Sequence, residues 1–159
     1  MELKRYFDDF EIGDSGRSSG GRTVTETDIF RAVGYGAGER MHVDREHVET
    51  TEFDDLLVQN TVLIVITSAL WGDVPGWDYE TPVAYGRDGM RFVNPAYPGD
   101  TLHLEVEVVD KRIREKDREA GRRRGLITIN EELRNQGDDL VMVNDHHSLV
   151  PFSPDFDPE

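Results

Sequence analysis

Residues 60–72 read NTVLIVITSALWG, and this stretch decides the fold of the chain. Within it, residues 62–71 are apolar except for one threonine and one serine. A helix that is apolar all round must be buried all round. The β-branched residues would also suit a buried strand, but Asn60 and Thr61 are good helix caps and a Gly-Asp pair ends the run. We therefore predict a helix over about residues 61–71, buried on every side.

The second half of the chain has the period of antiparallel strands. Leu102, Leu104, Val106 and Val108 alternate with polar residues, as in a strand with one buried face. Further strands are predicted over residues 83–93, 126–133 and 140–150, with a charged connector over residues 111–125 and a hairpin turn at residues 135–138. One long helix with several such strands predicts an α+β fold, in which a curled antiparallel sheet wraps around the helix.

Two short helices are predicted upstream. Thr25 and Asp28 have the spacing of a capping box, with aspartate in the glutamate position, and Gly34 ends that helix. A loop then leads to His42, after which Asp44 caps a second helix that runs to about Thr51.

The length and the net charge of the chain limit the classes of protein to which it can belong. The 159 residues suit one domain, residues 1–159, and no cysteine is present. The net charge of −15 indicates a saline cytoplasm, where salt screens self-repulsion; an acidic protein of ordinary salinity is the alternative. This charge disfavours nucleic acid and anionic membranes as partners. The start of the chain lacks a signal-peptide pattern and no apolar run reaches membrane length, so we expect a cytoplasmic protein.

Five segments carry a resemblance to a known family and occur in its order along the chain. They are Tyr6–Asp14, Gly21–Asp28, His42–Asp44, Arg91–Pro95 and Pro98–Leu102. Together they resemble the MaoC-like acyl-CoA dehydratases, whose hot-dog fold is a curled antiparallel sheet around one central helix. The run LVQNT at residues 57–61 and the turn at residues 135–137 are similar to the branch that includes mesaconyl-CoA hydratases.

The loop before His42 departs from the family pattern. Members that hydrate (R)-type enoyl-CoA read Gly-Asp-x-Asn-Pro-x-His, whereas residues 36–42 here read GAGERMH. The histidine therefore matches, but Ala37 stands where the catalytic aspartate is expected and Glu39 where the asparagine is expected.

The resemblance implies that His42 is the catalytic acid or base. Hydration of an unsaturated thioester needs a base for water, a proton for C2 and donors for the enolate-like oxygen. Glu39 is the nearby upstream carboxylate that can replace the aspartate. The alternatives are a surface or packing histidine and an exposed loop glutamate.

The start of the long helix is the predicted substrate-binding element. Its unpaired backbone N–H groups and helix dipole suit a thioester oxyanion. Asn60 either reaches the pocket or only caps the helix. Gln59 and Ser68 can add hydrogen bonds to substrate, with ordinary satisfaction in the core as their alternative.

Two further clusters invite functional interpretations. Arg122–Arg124 can meet the phosphates of coenzyme A, or form a solvated connector among acidic neighbours. His146 and His147 suggest a metal site, but adjacent strand residues point to opposite faces, so we expect no metal.

Two classes of function remain from the sequence. The first is a hydratase or dehydratase acting on an enoyl-CoA or 3-hydroxyacyl-CoA, with a branched or dicarboxylic acyl group as one possibility. The second is an acyl-CoA-binding or assembly subunit that lost catalysis with Ala37, and a hot-dog thioesterase is a third alternative. Coenzyme A enters only as part of the substrate, with no other cofactor. We also expect a homodimer or higher homo-oligomer, because a curled sheet leaves strand edges that need covering.

Overall fold

The structure of the protein, a computed structural model, describes residues 4–36 and 38–158. Ala37, which marks the departure from the family pattern, lies outside the described residues. The helices are α1 (Glu26–Val33), α2 (Arg40–Val43), α3 (Arg45–Val48), α4 (Asn60–Leu70) and α5 (Glu115–Glu119). The strands are β1 (Ser15–Arg17), β2 (Arg22–Thr23), β3 (Val83–Phe92), β4 (Thr101–Arg112), β5 (Arg124–Arg134) and β6 (Leu140–Pro151).

The strands form one antiparallel sheet that does not close. Its order is β1-β4-β5-β6-β3, with β2 also paired to β4. The predicted alternation in β4 is confirmed, since its even-numbered residues from Leu102 to Val108 are buried. The predicted hairpin of β5 and β6 is confirmed as well, with Leu133 opposite Met142. β3 is an edge strand of this sheet.

The predicted long helix is α4, and it lies against the sheet. Leu63, Ile66 and Leu70 face the core. The expectation that the helix is buried on every side is wrong, because Val65 is 67% exposed. An open sheet covers only part of a helix, so the remaining apolar side is left at the surface of the protomer. The cap was also predicted one or two residues late: Gln59 is the cap residue and Asn60 is the first helical residue.

The upstream helices confirm the predicted caps. The backbone N–H of Thr25 donates to the Asp28 carboxylate at 2.9 Å. The Asp44 carboxylate accepts from the backbone N–H of His47 at 3.0 Å and starts α3, which ends at Val48 rather than near residue 51. The four-residue helix α2, which carries His42, was not predicted, because so short a segment has no readable period.

The charged connector between β4 and β5 contains the short helix α5 around a buried carboxylate. Asp117 is fully buried and forms ion pairs with Arg114, Arg122 and Arg124. Burial opposes ionisation there, but the hydrogen bonds from Arg124 and Arg114 outweigh it and hold the pKa of Asp117 below its ordinary value.

No helix in the described parts of the chain combines the length and hydropathy that a membrane span requires.

Candidate active site

A cavity of about 580 Å³ lies at the N-terminal end of α4. Glu39, His42, Gln59 and Asn60 all line it. Four of the five side chains that were predicted to form the site are therefore brought together by the fold, although they come from two separate segments of the chain. Their roles in chemistry stay predictions.

His42 is held in one orientation by the backbone. Its Nδ1 lies 2.8 Å from the carbonyl oxygen of Leu57. Because a carbonyl can only accept, Nδ1 must carry the proton in this contact, and Nε2 is the ring nitrogen left for a substrate. The backbone N–H of Leu57 donates to the carbonyl of Met41 at 3.0 Å. The backbone of one residue, Leu57, thus secures both the helix that carries the imidazole and the imidazole itself.

Glu39 stands at the start of α2 and contacts His42 through the backbone. Its carbonyl accepts from the backbone N–H of His42 at 2.9 Å. The carboxylate is exposed and borders the cavity. Within the described residues, no hydrogen bond or ion pair joins a carboxylate to the His42 ring. The imidazole therefore acquires its orientation from the Leu57 carbonyl, not from an acidic partner.

The first turn of α4 supplies unpaired donors beside the imidazole. The N–H groups of Val62 and Leu63 both donate to the Gln59 carbonyl, at 2.9 and 3.2 Å. Those of Asn60 and Thr61 have no acceptor among the described residues, and both residues line the cavity. The Asn60 side chain is exposed and makes no hydrogen bond among the described residues. Asn60 therefore does not cap the helix through its side chain. Two free N–H groups at a helix start form a site for negative charge.

Gln59 fixes the start of α4 to the rest of the fold. The residue is buried, and its Nε2 donates to the carbonyl of Ile29 in α1 at 3.2 Å. This contact holds α1 against the beginning of α4. Gln59 thus serves the structure in addition to lining the cavity.

Ser68 lies elsewhere. Its hydroxyl donates to the Ile64 carbonyl at 3.0 Å, and it borders a different cavity. Eight residues separate it from Asn60, which corresponds to about 12 Å along the helix axis. The structure does not bring Ser68 to the His42 cavity.

The two other clusters are accounted for by structural contacts. Arg122 and Arg124 pair with the buried Asp117. His146 contacts Glu131 at 2.8 Å, whereas His147 contacts Thr128 and Asp88. The two imidazoles therefore have separate partners, as the strand geometry predicts. No group of three potential metal ligands occurs among the described residues.

The apolar wall of the cavity was not predicted from the sequence. Phe53 and Phe92 line it, together with residues 93–96. Asn94 fixes this segment, since its Nδ2 donates to the Leu140 carbonyl at 2.8 Å. The Asn-Pro pair after a strand signals a turn, but nothing in it indicates that the turn faces His42.

Comparisons with known proteins agree with this architecture. A structure described as a monoamine oxidase regulatory protein from Archaeoglobus fulgidus superposes with a TM-score of 0.84 at 28% identity, covering 97% of this chain and 99% of that one. A Mycobacterium tuberculosis protein with a double hot-dog fold gives 0.79 at 21% identity, where 98% of this chain covers 47% of that one. A 3-hydroxyacyl-(acyl-carrier-protein) dehydratase of Thermomicrobium roseum is 36% identical over 89 residues, 53% of this chain and 56% of that protein.

The fold is thus the hot-dog fold that the resemblance implied: a curled antiparallel sheet with a central helix. Residues 9–129 match the family described as MaoC like domain. This match spans most of the chain and includes the His42 segment, α4 and the edge strand β3. The chain belongs to the MaoC-like domain family.

Proposed function

We propose that the protein is a hydratase or dehydratase that acts on an enoyl or 3-hydroxyacyl thioester of coenzyme A. The observation that carries the proposal is the shared cavity of His42 and the free N–H groups of Asn60 and Thr61. An acid–base group with one ring nitrogen available, next to donors for an oxyanion, is the minimum that this reaction needs.

In the hydration direction, Nε2 of His42 takes a proton from water while the water oxygen bonds to C3 of the enoyl thioester. The electron pair of the double bond moves toward the thioester oxygen, which accepts hydrogen bonds from the N–H groups of Asn60 and Thr61. A proton then adds at C2 and completes the hydroxyacyl product. Dehydration follows the same steps in reverse.

The proton that His42 took from water is proposed to return to C2 with the help of Glu39, which relays it or orients a water molecule that does so. Its carboxylate borders the cavity one helical turn from His42, and no protein group holds it elsewhere among the described residues. Losing one acid–base partner typically costs on the order of 10²–10⁴-fold in rate. We therefore expect low activity in a chain that has Ala37 in place of aspartate.

The acyl group is proposed to be short and branched or dicarboxylic, as in the branch of the family that the LVQNT run resembles. Phe53, Leu63 and Phe92 supply apolar walls for its carbon skeleton, while Asn94 and Asn60 supply polar edges. The cavity volume of about 580 Å³ suits a small acyl group with part of its thioester arm.

We also propose that two copies pair through β3. Among the described residues this edge strand pairs with β6 alone and exposes Val83 and Tyr85, and α4 exposes Val65. Edge strands and apolar faces of this kind need covering. The double hot-dog structure supports the idea, because one chain of this length matches about half of it. Phe92 lies on β3 and also lines the cavity, so a second copy would border the site.

Assembly is tested by light scattering in molar salt. The unaltered chain is expected to have the mass of two or more copies, and Tyr85→Asp and Val65→Asp are expected to be monomeric. Ile12→Asp is the matched control, since Ile12 is as exposed as Val65 but lies on neither β3 nor α4. A monomeric unaltered chain would contradict the pairing.

The alternative is a subunit that binds an acyl-CoA without transforming it. The observation in its favour is that no carboxylate contacts the His42 ring among the described residues. Such a subunit would keep the cavity and the oxyanion donors while lacking proton transfer.

The test is the loss of enoyl absorbance of crotonyl-CoA and mesaconyl-CoA in high salt. His42→Ala and Glu39→Gln should lower the rate, and Ala37→Asp should raise it. His47→Ala is the control, because His47 lies on the adjacent helix α3 and does not line the cavity. If the unaltered chain and His42→Ala are equally inactive while Ala37→Asp creates activity, the binding subunit is the correct interpretation.

A further inference from the structure

A second cavity, of about 620 Å³, lies at the C-terminal end of α4. Trp71, Trp77, Tyr79, His146 and Ser148 line it. Trp71 is eleven residues beyond Asn60, which corresponds to about 16 Å along the helix axis. A short acyl group held at the His42 cavity does not span that distance, so the second cavity is a separate place in the molecule.

Glu131 organises the polar side of this cavity. The residue is fully buried, and both carboxylate oxygens are used by protein donors. Oε1 accepts from the indole of Trp71 at 2.6 Å and from Nδ1 of His146 at 2.8 Å. Oε2 accepts from Asn144 at 2.9 Å and from the Arg87 guanidinium. With four donors the carboxylate is saturated, so it orients its neighbours instead of receiving a ligand.

Two neighbours of Glu131, His146 and Arg87, keep polar atoms that Glu131 does not use. His146 uses Nδ1 on Glu131, so Nε2 remains, 3.5 Å from the hydroxyl of Ser148. Arg87 uses Nη1 for Glu131 and Asn144, and its other N–H groups have no acceptor among the described residues. Arg87 and His146 together line the adjoining cavity that contains Ser68. A partly buried guanidinium with free N–H groups is best satisfied by a second anion.

Aromatic rings form the other wall. The ring centroids of Trp71 lie 5.7 Å from those of both Trp77 and Tyr79. Such a cluster favours a flat apolar body over a branched or strongly hydrated one. The saturated state of Glu131 argues against a cation, which would find no free carboxylate there.

We infer that a small carboxylate with a planar apolar body binds where this second cavity meets the adjoining one, held by the guanidinium of Arg87 in the adjoining cavity and packed against Trp71, which lines both. The site does not depend on the proposed hydratase activity, since it uses none of the residues at the His42 cavity. The ligand carboxylate takes the guanidinium N–H groups that Glu131 leaves free.

The chain carries its own reporter for this site. Trp71 and Trp77 are the two tryptophans of the sequence, and both line the cavity. Tryptophan fluorescence is therefore recorded with benzoate as the probe and with benzamide, its neutral counterpart of the same shape, at constant ionic strength. Benzoate should give a saturable change, and benzamide should bind on the order of ten-fold or more weakly, because it cannot form a charge-assisted pair with Arg87.

Variants then locate the contact. Arg87→Lys keeps the charge but loses the planar fork, and Arg87→Gln loses the charge as well. Both should weaken benzoate binding about ten-fold or more. Arg91→Lys on the same strand and His42→Ala at the other cavity should leave binding unchanged. Circular dichroism checks that each variant is folded.

Three outcomes would overturn the inference. They are no saturable response to benzoate, equal affinity for benzoate and benzamide, and unchanged binding in both folded variants. The comparison of the two probes on the unaltered chain decides the question even where Arg87→Lys does not fold. Loss of enoyl-CoA activity in His42→Ala with intact benzoate binding would show that the two sites are independent.

Discussion

Gly125 lies under the ring of Phe7, so close that a β-carbon at position 125 would overlap three ring atoms. Phe7 is itself buried, packs on Phe152 with ring centroids 5.3 Å apart, and lies below the ammonium of Lys111 at 4.6 Å. The ring therefore has no free space into which to move. This contact joins the beginning of the chain to the centre of the sheet.

Gly125→Ala should accordingly lower the free energy of unfolding by about 1–3 kcal/mol, the usual cost of overpacking. Denaturant unfolding at constant salt measures it. Gly86→Ala on β3 is the matched control, since no atom lies within 4 Å of its added carbon. Equal effects of the two substitutions would show that the Phe7 ring moves aside without cost.

Asn60→Asp should separate catalysis from stability. A carboxylate at the first position of α4 interacts favourably with the helix dipole and should add about 0.3–1 kcal/mol to the free energy of unfolding. The same charge lies beside the proposed oxyanion site and should lower kcat/KM for crotonyl-CoA. Asn60→Ser is the neutral control. If Asn60→Asp is as active as the unaltered chain, the oxyanion does not form at this helix start.

Glu131→Gln should destabilise the protein by about 3 kcal/mol at neutral pH, because it leaves the Arg87 guanidinium uncompensated in a mostly buried position. Burial alone would raise the pKa of Glu131. The hydrogen bond from His146, the positive charges of His146 and Arg87, and the indole of Trp71 outweigh burial and lower it. Glu132→Gln is the control, because the carboxylate of Glu132 is on the next residue but is partly exposed.

The pH dependence of this difference follows from the direction of the shift. A carboxyl whose pKa is lower in the folded state stabilises fully above its unfolded value of about 4.5, and this contribution is lost as the pH falls through the folded value. The gap in unfolding free energy between the unaltered chain and Glu131→Gln should therefore be constant from neutral pH to about 4.5 and shrink below it. A gap that persists in strong acid would contradict the pKa assignment.

The stability of the chain should also depend on salt. The net charge of −15 repels itself over a screening length of about 10 Å at 0.1 M salt but only about 3 Å at 1 M. The midpoint of thermal unfolding should therefore fall as potassium chloride is lowered from 1 M to about 0.1 M. Sucrose at low salt serves as the control for general exclusion effects, since it does not screen charge. An unchanged midpoint would remove the case for adaptation to a saline cytoplasm.

The sequence predicted those helices and strands whose pattern of apolar residues matches the pattern of burial in the structure. Leu102 to Val108 alternate because one face of β4 is buried, and the apolar run of α4 supplies the residues that this helix buries, Val62, Leu63, Ile66 and Leu70. The exposure of Val65 was not predictable, because an exposed apolar residue and a buried one look alike in the sequence. Burial of Asp117 and Glu131 was equally hidden, because a paired interior carboxylate and a solvated one look alike in the sequence.

For the site, the sequence supplied His42 and the start of α4 but not the contact that orients the imidazole. That contact uses the backbone carbonyl of Leu57, and any residue type offers a carbonyl. A search of the sequence for acidic partners of His42 therefore cannot find this contact. The resemblance located the histidine, and only the folded chain shows what holds it.

The backbone of Leu57 joins two events that would otherwise be separate. Its N–H is bonded to Met41 and its carbonyl to the His42 ring. A local opening that moves α2 away from Leu57 is therefore expected to break both bonds and release the imidazole. The rate at which the Leu57 amide exchanges with deuterium in solvent therefore measures how often the site comes apart while the sheet stays folded, and it does so without any substrate.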